Sequence, residues 1–214
     1  MRRFAIAVFT LIAAPILMGA GKPAPPHLLT LNANDRTALD AISRYLNGTA
    51  TLKGDFVQTD PDGNLAQGAF YISKPGKMRF EYRPPSPTLI VADGRTVAVS
   101  NKRLNTVDRY PLSQTPLDLV LGSDIDLKND PQIVSVEHQP GFVAIGARTS
   151  RNMARANIFL VFSEPQYELR QWTVIDDQGL ATTVALRDLV PGVTLAPSLF
   201  RLPDRNPFAR HPED

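Results

Sequence analysis

Polar and apolar positions along the chain follow two different periods. Between Asn34 and Gly48, the residues Ala38, Leu39, Ile42, Tyr45 and Leu46 recur every three or four positions. This spacing predicts one amphipathic helix, capped by Asn34 or Asp35 and stopped by Gly48. A helix with one apolar face must cover something apolar. From Thr51 to Leu186 the period shortens to that of strands. The predicted runs are Leu52–Gln58, Gly68–Ser73, Met78–Tyr82, Thr88–Ala92, Thr96–Ser100, Asn105–Arg109, Ile133–Glu137, Phe142–Ala147, Asn157–Phe162, Leu169–Asp176 and Ala181–Leu186, about 10–11 strands in all.

The punctuation between the runs narrows the topology. Asp62-Gly63, Asp93-Gly94 and Pro140-Gly141 are hairpin turns, and Asp177-Gln178-Gly179 is a slightly longer one. Sequential hairpins make an antiparallel meander, and no alternation of strand with helix signals a parallel sheet. One short helix interrupts the strands at Pro116 to Leu121, started by Thr115 and stopped by Gly122. It is apolar nearly all round, which suits either a core plug or a lid over a hydrophobic cavity.

The ends of the chain add the compartment. Arg2 and Arg3 followed by the apolar stretch Phe4 to Leu17 and the small residues Gly19-Ala20-Gly21 read as a secretory signal over 1–21. The alternative, a membrane anchor, is opposed by Thr10 and Pro15, which leave the run short of the roughly 20 apolar residues that span a bilayer. Residues 22–33, with Pro23, Pro25 and Pro26, form an extended leader, 34–203 a single domain, and 204–214 a flexible tail. Removing the signal leaves about 190 residues, enough for one well-cored domain. The 214 residues contain no cysteine, which excludes disulfides, thiolate metal sites and a thiol nucleophile. Lys and Arg number 23 against 21 Asp and Glu, and loss of Arg2 and Arg3 balances the charge. Such a chain has no general pull toward nucleic acid.

The most informative stretch is Ser73 to Pro85. Met78, Phe80 and Tyr82 fall on one face of its strand, and Lys77, Arg79, Glu81 and Arg83 on the other. Its frame is Phe56-x-Gln58, then Gly68-x-Phe70-x-Ile72-x-Lys74-Pro75-x-x-x-Arg79-Phe80-x-Tyr82, then Pro84 to Pro87 and Ile90-Val91-x-Asp93-Gly94. In this block the chain resembles the outer-membrane lipoprotein carrier (LolA) family. Weaker likeness continues through the Thr115-Pro116 segment and Asp176 to Gly179 to Phe200-x-Leu202-Pro203.

The resemblance implies a mostly-β fold, an unclosed and strongly curved antiparallel barrel with a helical lid. It implies a monomeric periplasmic chaperone that takes lipoproteins by their acyl chains from an inner-membrane ABC transporter and delivers them to an outer-membrane receptor of similar shape. No bond is made or broken by such a carrier, and it needs no cofactor or metal. The expected cargo-binding residues are Met78 and Phe80 first, then Phe56, Phe70, Ile72, Tyr82, Ile90, Leu119 and Leu121. The family's lid-latching arginine falls at Lys74, whose compact ammonium lacks the guanidinium's fork of donors. Either Lys74 closes the lid more loosely or another base, such as Arg79, takes the role.

Two rival readings belong to other classes. A periplasmic regulator sharing the half-barrel could sense lipid or lipoprotein, but such regulators carry a second domain for which the length leaves little room. A hydrolase needs a serine elbow or a triad with a usable histidine, and neither pattern occurs. His27, His138 and His211 read as solvated surface residues, Asp124, Asp126 and Asp130 as a solvated loop, and Arg148, Arg151 and Arg155 as a solvated turn.

Overall fold

The computed structural model describes residues 29–203 apart from Pro116, residues 149–156 and Asp177, with the side chain of Asp118 also left aside. The signal and most of the leader, the 204–214 tail, Arg151, Arg155, His27 and His211 therefore lie outside the described residues.

Helix α1 (Ala33–Gly48) starts two residues earlier than the pattern predicts. Asn32 is the cap: its side chain accepts from the Asp35 amide at 2.9 Å, and the Asp35 carboxylate accepts from the Asn32 amide at 2.9 Å. This reciprocal capping box occupies two amides that the first turn leaves unpaired. Asp35 is thus the third residue of the helix rather than its cap. Ala38, Leu39, Ile42 and Leu46 are the buried apolar face.

All eleven predicted strands form: β1 (Thr51–Thr59), β2 (Leu65–Ser73), β3 (Lys77–Tyr82), β4 (Thr88–Asp93), β5 (Thr96–Asn101), β6 (Thr106–Pro111), β7 (Ile133–Gln139), β8 (Phe142–Ala147), β9 (Ile158–Ser163), β10 (Leu169–Ile175) and β11 (Ala181–Pro191). They make one antiparallel sheet in the order β6-β5-β4-β3-β2-β1-β11-β10-β9-β8-β7. Every neighbour is a sequential hairpin except β1 and β11, the first and last strands, which pair in the middle. The sheet is curved and unclosed, with β6 and β7 as its edges.

The chain between those edges carries a 3₁₀ turn (Leu112–Gln114) and helix α2 (Asp118–Leu121). The helix is a single turn, shorter than the predicted 116–121 segment, with Val120 and Leu121 amides bonded to the Leu117 carbonyl at 3.1 and 2.9 Å. The following loop is sewn to α1. Asn47 exchanges two 2.9 Å bonds with the Ile125 backbone, the Leu127 amide donates to Ser43 Oγ at 3.1 Å, and Lys128 pairs with Asp40 at 2.7 Å.

One apolar cluster fills the concave side. It joins α1 and α2 to residues of every strand but β6, including Leu52, Phe56, Phe70, Ile72, Met78, Phe80, Ile145, Leu160 and Leu186. Two reciprocal pairs set its centre: Phe56 lies across from Gly68 and Phe70 across from Gly54. A Cβ on Gly68 would stand 2.6 Å from the Phe56 ring, and one on Gly54 would stand 2.8 Å from the Phe70 ring. Each glycine makes room for the ring opposite.

After β11 the chain crosses the outer face. A 3₁₀ turn (Pro197–Phe200) packs on β3 and β4 with Phe200 buried. Arg79 Nη1 donates to the Leu199 carbonyl at 3.4 Å, and Arg109 Nη2 to the Pro203 carbonyl at 2.7 Å.

Candidate functional site

Strand alternation puts Phe56 of β1, Phe70 and Ile72 of β2, Met78, Phe80 and Tyr82 of β3, and Ile90 of β4 on the concave face. The ladder aligns Phe70 with Phe80, Ile72 with Met78, and Phe80 with Ile90. Leu119 and Leu121 of α2 join the same cluster. The structure thus brings together every apolar residue singled out by the sequence. Phe80 is the hub, with ring centroids 4.7 Å from Phe56, 5.5 Å from Phe70 and 5.6 Å from Trp172.

Trp172 of β10 was not legible as a site residue. It lies far along the chain from Phe80, and only the β1–β11 pairing, with β10 next in line, brings it across the basin. The sequence signal was there in one respect, since Trp172 is the chain's single tryptophan, in the middle of a predicted strand.

The basin is sealed unevenly. Near the β2–β3 turn, Leu52, Ile72, Met78 and Ala92 are all buried. At the other end of β1 and β3, Gln58 and Tyr82 are only half-buried, as are Ile90 of β4 and Trp172 and Val174 of β10. Tyr82 stands edge-on to Phe56 at 4.8 Å and donates its hydroxyl to Gln58 Oε1 at 2.6 Å. Burial pushes its phenol up to about 12, so it stays a protonated donor at neutral pH.

The β2–β3 turn grips both helices. Lys74 Nζ donates to the Leu46 carbonyl in the last turn of α1 at 2.7 Å, and the Gly76 amide donates to the Leu121 carbonyl at the end of α2 at 2.9 Å. Both acceptors belong to helix ends, where carbonyls lack partners within the helix. Lys74 therefore contacts α1 at the position where the resemblance places a latch. Arg79 does not: it points to the outer face, to Glu81 and the C-terminal segment. Partial burial lowers the Lys74 ammonium to about 8.

The other end of α1 is tied as well. His138, read from sequence as merely solvated, contacts Asp35 at 3.1 Å and lies within 3.3 Å of the Asn34 amide nitrogen. Spacing gave no hint of this, because the pair joins α1 to the end of β7, the far edge strand. Asp124, Asp126 and Asp130 sit in the loop after α2; Asp126 accepts from Asn129 and Asp130 from the Gln132 amide, as turn carboxylates do.

The family model described as outer membrane lipoprotein carrier protein LolA matches residues 47–203. An outer-membrane lipoprotein carrier protein of Nitrosomonas europaea is 27% identical over 175 residues, covering 77% of this chain and 84% of that relative. One from Cupriavidus pinatubonensis is 29% identical over 117 residues, covering 47% of this chain and 55% of that relative. The matched stretch spans about half the length of several such relatives. Among solved structures, a LolA superfamily protein from Nitrosomonas europaea aligns with a TM-score of 0.44 at 11% identity, covering 80% of this chain and 98% of that one.

Proposed function

Because the chain belongs to the LolA family of outer-membrane lipoprotein carriers, we propose that it is a periplasmic chaperone that shields lipoprotein acyl chains in its concave basin. On this reading residues 1–21 are removed on export, and cargo arrives from an inner-membrane ABC transporter and leaves at the outer membrane. No chemistry is performed on the cargo.

The observation that supports this reading is the shared apolar cluster. The concave face is apolar along nearly all its strands, and α1 and α2 complete its burial. The cost of the alternative is large. Three acyl chains of roughly 16 carbons, at about 0.8 kcal/mol per methylene, would lose on the order of 30 kcal/mol on exposure to water. A carrier without its own energy source must offset most of that and still release the chains. A basin already filled by its own helices does so, since cargo binding displaces helix packing and helix return favours release. Met78, Phe80, Phe56, Phe70, Ile72, Tyr82, Ile90, Leu119 and Leu121 are the proposed contacts, joined by Trp172, and Lys74 is the proposed latch.

The test is release from a membrane. Vesicles carrying the transporter and a labelled lipoprotein are mixed with the chain and ATP, and the supernatant is sized. A soluble one-to-one complex is expected. Label that stays with the vesicles while ATP is hydrolysed would sink the carrier reading.

A further inference from the structure

We propose that Gln58 and Tyr82 form a polar subsite at the half-exposed end of the basin, which takes a carbonyl oxygen of an acyl ester. This rests on the carrier reading above and adds to it an orientation: the polar junction of the lipid lies at this end, with the chains running inward past Phe56 and Phe80.

Three features carry the inference. First, Gln58 is a polar interruption on an apolar surface: its neighbours across the ladder are Ala66 on β2 and Val184 on β11, and two positions before it on the same face is Phe56. Second, the amide is held in one orientation. Its Oε1 accepts from Tyr82, and the Tyr82 ring is itself wedged edge-on against Phe56. Third, that orientation leaves the two N–H donors of Gln58 Nε2 with no protein acceptor among the described residues, although the atom is not sealed from solvent. An amide supplies two donors and an acceptor, and here the acceptor is satisfied while the donors are left without a protein partner among the described residues.

The chemistry selects the ligand class. A neutral amide donor among apolar neighbours, with Tyr82 also neutral, suits a neutral acceptor better than a phosphate or carboxylate, which would lose its hydration without gaining a countercharge. The neutral acceptor found beside a glyceryl-linked acyl chain is its own ester carbonyl. A pure hydrocarbon entering the mouth would leave those donors unpaired, a penalty that discriminates between the two.

The experiment compares two probes on the full mature chain: a synthetic tripalmitoylated cysteinyl peptide, and an analogue in which ether linkages replace its two ester carbonyls. The wild type is expected to bind the ester form about fivefold more tightly, the worth of one neutral hydrogen bond. Gln58→Met should erase that preference, weakening the ester probe, strengthening the ether analogue by removing donors it leaves unpaired, or both. Tyr82→Phe should reduce the preference by loosening the amide, and it decides alone if Gln58→Met lowers the melting temperature. A preference retained in both variants, or an equal loss for both probes, overturns the subsite and leaves the carrier reading standing. Failure of the wild type to bind either probe overturns both.

Discussion

The Lys74 ammonium ties the last turn of α1 to the β2–β3 turn. Removing it in Lys74→Met should speed amide exchange in that turn by about tenfold, because a charge-assisted bond to an otherwise underused carbonyl is lost, while β1 and β2 exchange as before. An unchanged helix would show that Lys74 is not a latch. The pH dependence has a definite sign. Burial lowers Lys74 from 10.5 to about 8, so between those values the unfolded chain holds the proton more tightly than the folded one. Its contribution to stability therefore rises as pH increases through that window, and below pH 8 both states are charged and the burial penalty is felt in full. Lys74→Arg stays charged throughout. The melting temperature of the wild type should gain on that of Lys74→Arg as pH goes from 8 to 10, and a constant difference would contradict the assignment. At this scale the sequence showed the position but not the outcome, because whether an ammonium reaches a carbonyl 28 residues away depends on how a turn meets a helix end.

Among the elements, the tightest constraint is where rings cross glycines. Gly68→Ala would place a methyl 2.1 Å from the Glu81 carbonyl and 2.6 Å from the Phe56 ring. That overpacking should cost about 3 kcal/mol, or roughly 6–12 °C in melting temperature. Gly48→Ala, at a helix end with open space around it, should be neutral or slightly stabilising. Calorimetry of the two variants checks the contrast, and equal effects would mean that Gly68 is not held by its partners. Element identity was legible because most strands bury one face, which imprints a period of two. Boundaries were not. Strand β2 begins at Leu65 rather than Gly68 because Thr59 offers Leu65 a ladder partner, a fact that no property of Leu65 announces. Strand β11 runs past Leu186 to Pro191 with mostly exposed side chains, so no alternation marks it. The helix cap slipped from Asn34 to Asn32 because Asp35 serves as the partner in a box rather than as the cap itself.

At the scale of the molecule, one pairing decides the architecture. Two meanders, β1 to β6 and β7 to β11, become one cup because β11 docks on β1, and the long connection between the two edges brings α2 and its loop to the helical side of the basin. Turn residues mark the β1–β2, β4–β5, β7–β8 and β10–β11 hairpins, whereas a pairing between the first and last strands leaves no local mark, and it is that pairing which brings Trp172 to the basin. The helices and the sheet then share one core but differ in how they are held. Central strands are bonded along both sides. Helix α1 is held to the rest by side-chain contacts from Lys74, His138 and the 122–132 loop, and α2 by the Gly76 amide. If acyl chains replace the helices over the basin, the helices should become less protected as the ligand binds, the reverse of ordinary ligand stabilisation. Titration with a tripalmitoylated cysteinyl peptide should therefore raise amide exchange in α1 and α2 while leaving β1, β2 and β11 as protected as before. Greater protection of the helices on binding would mean that the cargo sits elsewhere and that α1 and α2 are plain core.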